Sequence, residues 1–156
     1  MSDLAGKVII VTGGTQGIGE AVARKAARAG ARGLVICGRD EERGNAVADD
    51  LTRDGCRAVF VSCDLADPEQ CSAVAAACDA AFGRVDGLVN AAGATDRGGI
   101  LDIPLEVWDR LFAVNTRAPF ILIQACAKLM IRDTIAGSIV NIITMSSHGG
   151  QPLLAG

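Results

Sequence analysis

Apolar positions fall in short runs separated by longer mixed stretches, and the two alternate along the whole chain. Val8–Val11 is a β-branched run of the kind that forms a strand buried on both faces. An alanine-rich segment, Glu20–Ala29, follows as a helix. Leu34–Cys37 predicts a second strand, Glu41–Asp54 a second helix ended by Gly55, and Ala58–Ser62 a third strand. Asp67-Pro68-Glu69-Gln70 is a helix start: Asp67 suits the N-cap, Pro68 the first helical position and Gln70 the return bond of a capping box. That helix runs to about Phe82, before Gly83, with Cys71, Val74, Cys78 and Phe82 on one face. Gly87–Ala91 reads as strand four, Leu105–Val114 and Arg117–Arg132 as helices, and Ser138–Ile143 as strand five.

Strands alternating with helices in this way require right-handed crossovers and a parallel sheet. A glycine-rich turn at the first crossover predicts a doubly wound α/β sheet of order 3-2-1-4-5, in a single domain over residues 1–156. Ligands of such sheets bind at the carboxyl ends of the strands, and Thr12, Arg39, Asp64, Asn90 and Thr144 lie at or just beyond those ends.

The turn itself reads TGGTQGIG, Thr12–Gly19. Its spacing is Gly-x3-Gly-x-Gly, and Gly13, Gly17 and Gly19 leave room for a pyrophosphate to approach bare backbone amides at the start of a helix. No Lys-Ser/Thr pair follows the turn, which sets aside a phosphate-binding loop of the nucleoside triphosphatase type.

Composition narrows the reading. The 156 residues are 50% hydrophobic, 21% charged and only 3% aromatic, so the core is aliphatic and alanine-based. A net charge of −3 without a basic run excludes nucleic acid and an anionic membrane surface as expected partners. The longest apolar stretch, Ala118–Ile131, is broken by Gln124 and Lys128, and the N-terminus lacks the pattern of a secretion signal, so no membrane span is expected and the location expected is cytoplasmic. Cys37, Cys56, Cys63, Cys71, Cys78 and Cys126 form no Cys-x-x-Cys pair and have no neighbouring histidine; they are expected to be buried thiols, with no metal site.

TGGTQGIG, CDL at Cys63–Leu65, NAAG at Asn90–Gly93, VN at Val114–Asn115 and GSIVNI at Gly137–Ile142 occur together in order, and the chain thereby resembles the short-chain dehydrogenase/reductase family. The resemblance covers nearly the whole chain and corresponds to the first part of a Rossmann-like fold whose last strands would follow. It implies a nicotinamide cofactor held by Gly13, Thr15, Gln16, Gly17, Ile18 and Gly19, with Asp64 and Leu65 flanking the adenine. Asn90, Ala91, Gly93 and Val114 complete the cofactor side, Asn90 beginning the turn that supports the ribose. Family members that use NAD place an acid near the end of strand two; here Gly38 and Arg39 occupy that region. A guanidinium suits a 2′-phosphate, so NADP is expected over NAD. Gln16 stands where many NADP-dependent members place a second basic residue, and Asp40 adjoins Arg39.

Catalysis in the family rests on Asn, Ser, Tyr and Lys. Asn115 matches the first, opening the helix after Val114, and Thr144 stands in the serine's register; Ser146 and Ser147 miss it. The sequence contains no tyrosine, and the resemblance would put one just past Gly156. His148 is the sole histidine and has no evident orienting partner. The expected activity is interconversion of a secondary alcohol and a ketone by hydride transfer. A nucleotide-binding module without turnover is the alternative. The apolar girth of Arg117–Arg132 calls for a cover, which in the family is a further helix and a partner subunit, so a homo-oligomer is expected.

Overall fold

The computed structural model describes residues 3–99 and 101–144. Its elements run β1 (Val8–Thr12), α1 (Gly17–Arg28), β2 (Gly33–Gly38), α2 (Glu41–Arg53), β3 (Arg57–Ser62), α3 (Pro68–Phe82), β4 (Gly87–Asn90), α4 (Leu105–Phe112), α5 (Ala118–Arg132) and β5 (Ser138–Asn141). The five strands form one parallel sheet in the order β3-β2-β1-β4-β5. The order read from the glycine turn is therefore the one observed.

Alternate residues of β1 enter opposite layers of core. Val8 and Ile10 pack with Val35, Leu88, Cys78 and Leu122 beneath α3 and α5, while Ile9 and Val11 pack with Leu34, Ile36, Ala23 and Leu51 beneath α1 and α2. Because β1 sits at the centre of the sheet, all five of its residues are buried and the strand shows no polar alternation. Each fully buried aliphatic side chain contributes roughly 1.5–3 kcal/mol, so β1 and β2 are the energetic centre of the domain.

The ends of several elements differ from the sequence reading, each for a local reason. Helix α1 starts at Gly17, earlier than Glu20, because Gln16 is extended and its carbonyl accepts from the Glu20 N–H at 3.2 Å. Its first turn, of glycines and the 62% exposed Ile18, carries no apolar period that could have announced it. At α3 the Asp67 carboxylate caps as expected, accepting from Glu69 N–H at 2.8 Å and Gln70 N–H at 3.3 Å. The return bond of a capping box is not made. The Asp64 carbonyl takes the Asp67 N–H at 2.9 Å, and the Gln70 side chain accepts instead from Asp64 N–H at 2.8 Å. Gly83, with φ +68°, ends the helix in the left-handed region.

The largest departure is between α4 and α5, which are one helical run joined by a π-helical turn at Ala113–Arg117. Asn115 therefore does not open a helix; it lies inside the wide turn. Pro119 has no N–H to return to the Asn115 carbonyl, and the run widens just before it. β5 is also shorter than Ser138–Ile143, although the Ile142 N–H still donates to the Asn90 carbonyl at 2.9 Å.

Candidate functional site

A crevice opens where the chain leaves β1, turns, and enters α1. Gly13 has φ +64° and packs against the β4 turn so closely that a Cβ would lie 3.0 Å from the Ala92 Cα. A Cβ on Gly19 would lie 2.2 Å from the Gly13 carbonyl oxygen. The turn is thus closed to side chains at Gly13 and Gly19, whereas Gly17, with φ +55°, has open space where a Cβ would stand and is needed for its backbone conformation. Gln16, the N-cap of α1, makes no side-chain capping bond, so the first N–H groups of the helix have no intrahelical partner and no side-chain cap. They carry the positive end of the helix dipole.

Thr12 holds the opposite wall in place. The residue is 1% exposed, and its hydroxyl accepts from the N–H groups of both Ala91 and Ala92 at 3.1 Å, tying the end of β1 to the turn after β4. The structure brings Gly13, Thr15, Gln16, Gly17, Ile18 and Gly19 into one lining, and Arg39 joins them from the end of β2. Asp64 and Leu65 enter from the end of β3, Ala91 and Gly93 from beyond β4, and Val114 from the π turn. Asn90 does not line this crevice. Its side chain is buried and its Nδ2 donates to Asn141 Oδ1 at 2.8 Å, across the paired ends of β4 and β5.

Arg39 is exposed, and its guanidinium makes no hydrogen bond or ion pair among the described residues. Asp64 is held below the usual carboxylate range, first by the Ala66 N–H, which it accepts at 3.0 Å, and further by Arg110 and Arg39, against the opposing effect of burial. Arg110 on α4 reaches it at 3.3 Å. The motif reading missed Arg110, yet it lies one helical turn before Val114 on the same face, which was the available signal. Cys63 also lines the crevice. Hydrogen bonding to Cys37, together with burial, pushes its thiol up to about 12 against a contribution from Cys71, so it stays a protonated thiol. All six cysteines are free and buried, as expected.

A second cleft adjoins the first. Asn90, Asn115, Asn141 and Thr144 contribute to its lining, which shares Ala91 and Gly93 with the first. The Asn115 amide is engaged at both ends: Oδ1 accepts from the Ala94 N–H and Nδ2 donates to the Ala94 carbonyl, each at 2.8 Å. It fixes the start of the loop that follows β4. Ser146, Ser147 and His148 lie outside the described residues.

A dinucleotide needs amide donors for its diphosphate, an acceptor for its base and backbone that lets it come close. The crevice offers all three. Among the described residues no helix is long and apolar enough to cross a membrane.

The profile of the short chain dehydrogenase family matches residues 7–156. A (−)-isopiperitenol/(−)-carveol dehydrogenase, described as mitochondrial, from Mentha piperita is 36% identical over 153 residues, covering 97% of this chain and 57% of the relative. L-rhamnose 1-dehydrogenase (NAD(P)(+)) of a Sphingomonas strain is 34% identical over 150 residues, covering 96% and 59%. (+)-cis,cis-Nepetalactol synthase of Nepeta racemosa is 36% identical over 139 residues, covering 88% and 51%. The chain thus spans between 51% and 59% of the length of these curated relatives. A metagenomic short-chain oxidoreductase solved in complex with NADP superposes with a TM-score of 0.90 at 38% identity, over 97% of this chain and 68% of that one.

Proposed function

The chain belongs to the short-chain dehydrogenase/reductase family, and on that premise we propose that it serves an NADP-dependent oxidoreductase that interconverts a secondary alcohol and a ketone. The observation that carries this reading is the uncapped start of α1 facing a glycine-lined crevice, with Arg39, unpaired among the described residues, on its wall. The N–H groups of Gly17, Ile18 and Gly19 would hold the diphosphate. Asp64, kept ionised, would accept from the adenine amino group, with Leu65 packing against the ring. Arg39 would meet the 2′-phosphate by a charge-assisted contact. When bound, the nicotinamide supplies the hydride acceptor or donor. Thr144 would orient the substrate oxygen through its hydroxyl, and Asn115, by fixing Ala94, would shape the wall beside it.

NADPH is expected to bind more tightly than NADH, and Arg39→Ala to remove most of the difference. Fluorescence titration with both cofactors decides it; equal affinities for the unaltered chain would remove Arg39 from this role. A second reading rests on one observation: the 156 residues include no tyrosine, so the family's proton donor is not among them. On that reading the chain by itself binds nucleotide without turnover. Ketone reduction by a preparation of verified mass would overturn it. The exposed Phe112, Phe120 and Ile131 on the α4–α5 face support a homo-oligomer, which sedimentation would test.

A further inference from the structure

Two residues beside Arg39 are poor neighbours for a phosphate. Asp40 is an acid, and Gln16 presents a carbonyl oxygen as readily as an amide N–H. A 2′-phosphate carries roughly −1.5 to −2 charges, and the pair Arg39-Asp40 taken alone offers it no net positive charge. The structure shows a third residue that changes both. Arg43, in the first turn of α2, pairs through Nη2 with Asp40 Oδ2 at 2.9 Å, while its Nη1 donates to Gln16 Oε1. The other Asp40 oxygen accepts the Arg43 backbone N–H at 2.9 Å as the cap of α2. Both carboxylate oxygens are therefore engaged within α2. With its Oε1 turned to Arg43, the Gln16 amide has both N–H groups left to offer, and Gln16 and Arg39 both line the crevice.

We propose that Arg43 is a positioning residue for cofactor selectivity: by neutralising Asp40 and occupying the Gln16 carbonyl, it turns the Gln16–Arg39 wall into a set of donors for a 2′-phosphate. The inference rests on the reading that Arg39 meets that phosphate. It assigns selectivity to a residue outside the lining, and it accounts for a working phosphate wall with glutamine rather than a basic residue at the start of α1.

The test measures affinity for 2′,5′-ADP and for 5′-ADP on the intact chain, and reads their ratio. Arg43→Gln should lower the preference for the 2′-phosphate by about tenfold, the scale of one charge-assisted contact. Adding Asp40→Asn, which keeps a capping side chain at that position, should restore most of it. Melting curves of each variant establish that the domain is folded. An unchanged ratio in Arg43→Gln overturns the proposal, and so does a double variant as weak as the single one. Arg39→Ala separates the two layers: if it too leaves the ratio unchanged, the underlying 2′-phosphate reading falls, whereas an effect there with a silent Arg43→Gln sinks only the role of Arg43.

Discussion

The two ends of the sheet treat polar groups in opposite ways. At the amino end, Asp86, with its side chain 4% exposed, accepts from the Val8 N–H at 2.9 Å, Arg84 at 2.8 and 2.6 Å and Lys7 at 3.3 Å. Its backbone also bonds Val8 and Ser138, so one residue staples the starts of β1, β4 and β5. At the carboxyl end the helix start is uncapped and Arg39 is unpaired among the described residues. Asn90 Oδ1 is buried there with no hydrogen-bond partner among the described residues. Buried polar groups are ordinarily satisfied, because leaving one without a bond forfeits its hydration for nothing in return. The amino end obeys that rule and serves stability. The carboxyl end bonds Thr12, Asp64 and Asn115 to the backbone of their loops but leaves the start of α1 and Arg39 without protein partners among the described residues, the arrangement the proposed nucleotide would use.

Breaking the closed end gives the largest expected effect. Asp86→Ala leaves Arg84, Lys7 and the Val8 N–H without their acceptor and should cost about 3–5 kcal/mol in urea unfolding; a change under 1 kcal/mol would mean that the network is ornamental. Burial pushes the Asp86 carboxyl up, but Arg84, the Val8 N–H and Lys7 outweigh it and hold the group below the ordinary carboxylate value. The folded value is therefore the depressed one. Its stabilisation is present above the unfolded value, about 3.9, and is lost as pH falls through the folded one. The acid limb of stability should flatten in Asp86→Asn, and an unaltered limb would assign acid unfolding to other carboxylates.

At the open end, Gly19→Ala pushes a Cβ against the Gly13 carbonyl. Overpacking of this kind costs about 1–3 kcal/mol, and the displaced amides should lose nucleotide binding altogether. Retained affinity in a folded variant would show that the diphosphate sits elsewhere. Thr12→Val is milder. It strands the Ala91 and Ala92 N–H groups and should cost about 1–3 kcal/mol, read as a lowered melting temperature.

How much of this contrast the sequence disclosed depends on the range of the interaction. The parallel sheet followed from the short apolar runs alternating with helices, and its order from the doubly wound arrangement that the early glycine turn suggested. Asp67 as a cap and Gly83 as a helix stop are local too, and they stand as read. The π turn was missed although Pro119 inside an apolar helical stretch was a sign of interruption; the bonds of Asn115 to Ala94, which join residues far apart in sequence, left no local sign at all. Asp86 drew no notice, because a short acid beside Arg84 looks like surface until β1 arrives to bury it. Asp40 beside Arg39 looked like an obstacle to a phosphate. Once α2 forms, Arg43 in its first turn engages that acid, which is also the cap of the helix.

The smallest expected effect lies at the wall proposed for the adenine, where Asp64 and Arg110 meet at 3.3 Å with side chains 38% and 43% exposed. An ion pair so open to solvent is screened, and its coupling in a double-mutant cycle should stay below about 1 kcal/mol of stability. Binding should respond more than folding does. Asp64→Asn replaces a carboxylate held ionised by the Ala66 N–H with a neutral amide, and affinity for 5′-ADP should fall a few-fold. Arg110→Ala leaves the Ala66 bond, the largest influence on that carboxyl, in place and should weaken binding less. If Arg110→Ala is instead the more damaging variant, the guanidinium itself contacts the nucleotide. The open end would then owe its affinity for the base to α4, and not to the strand ends that set the rest of the site.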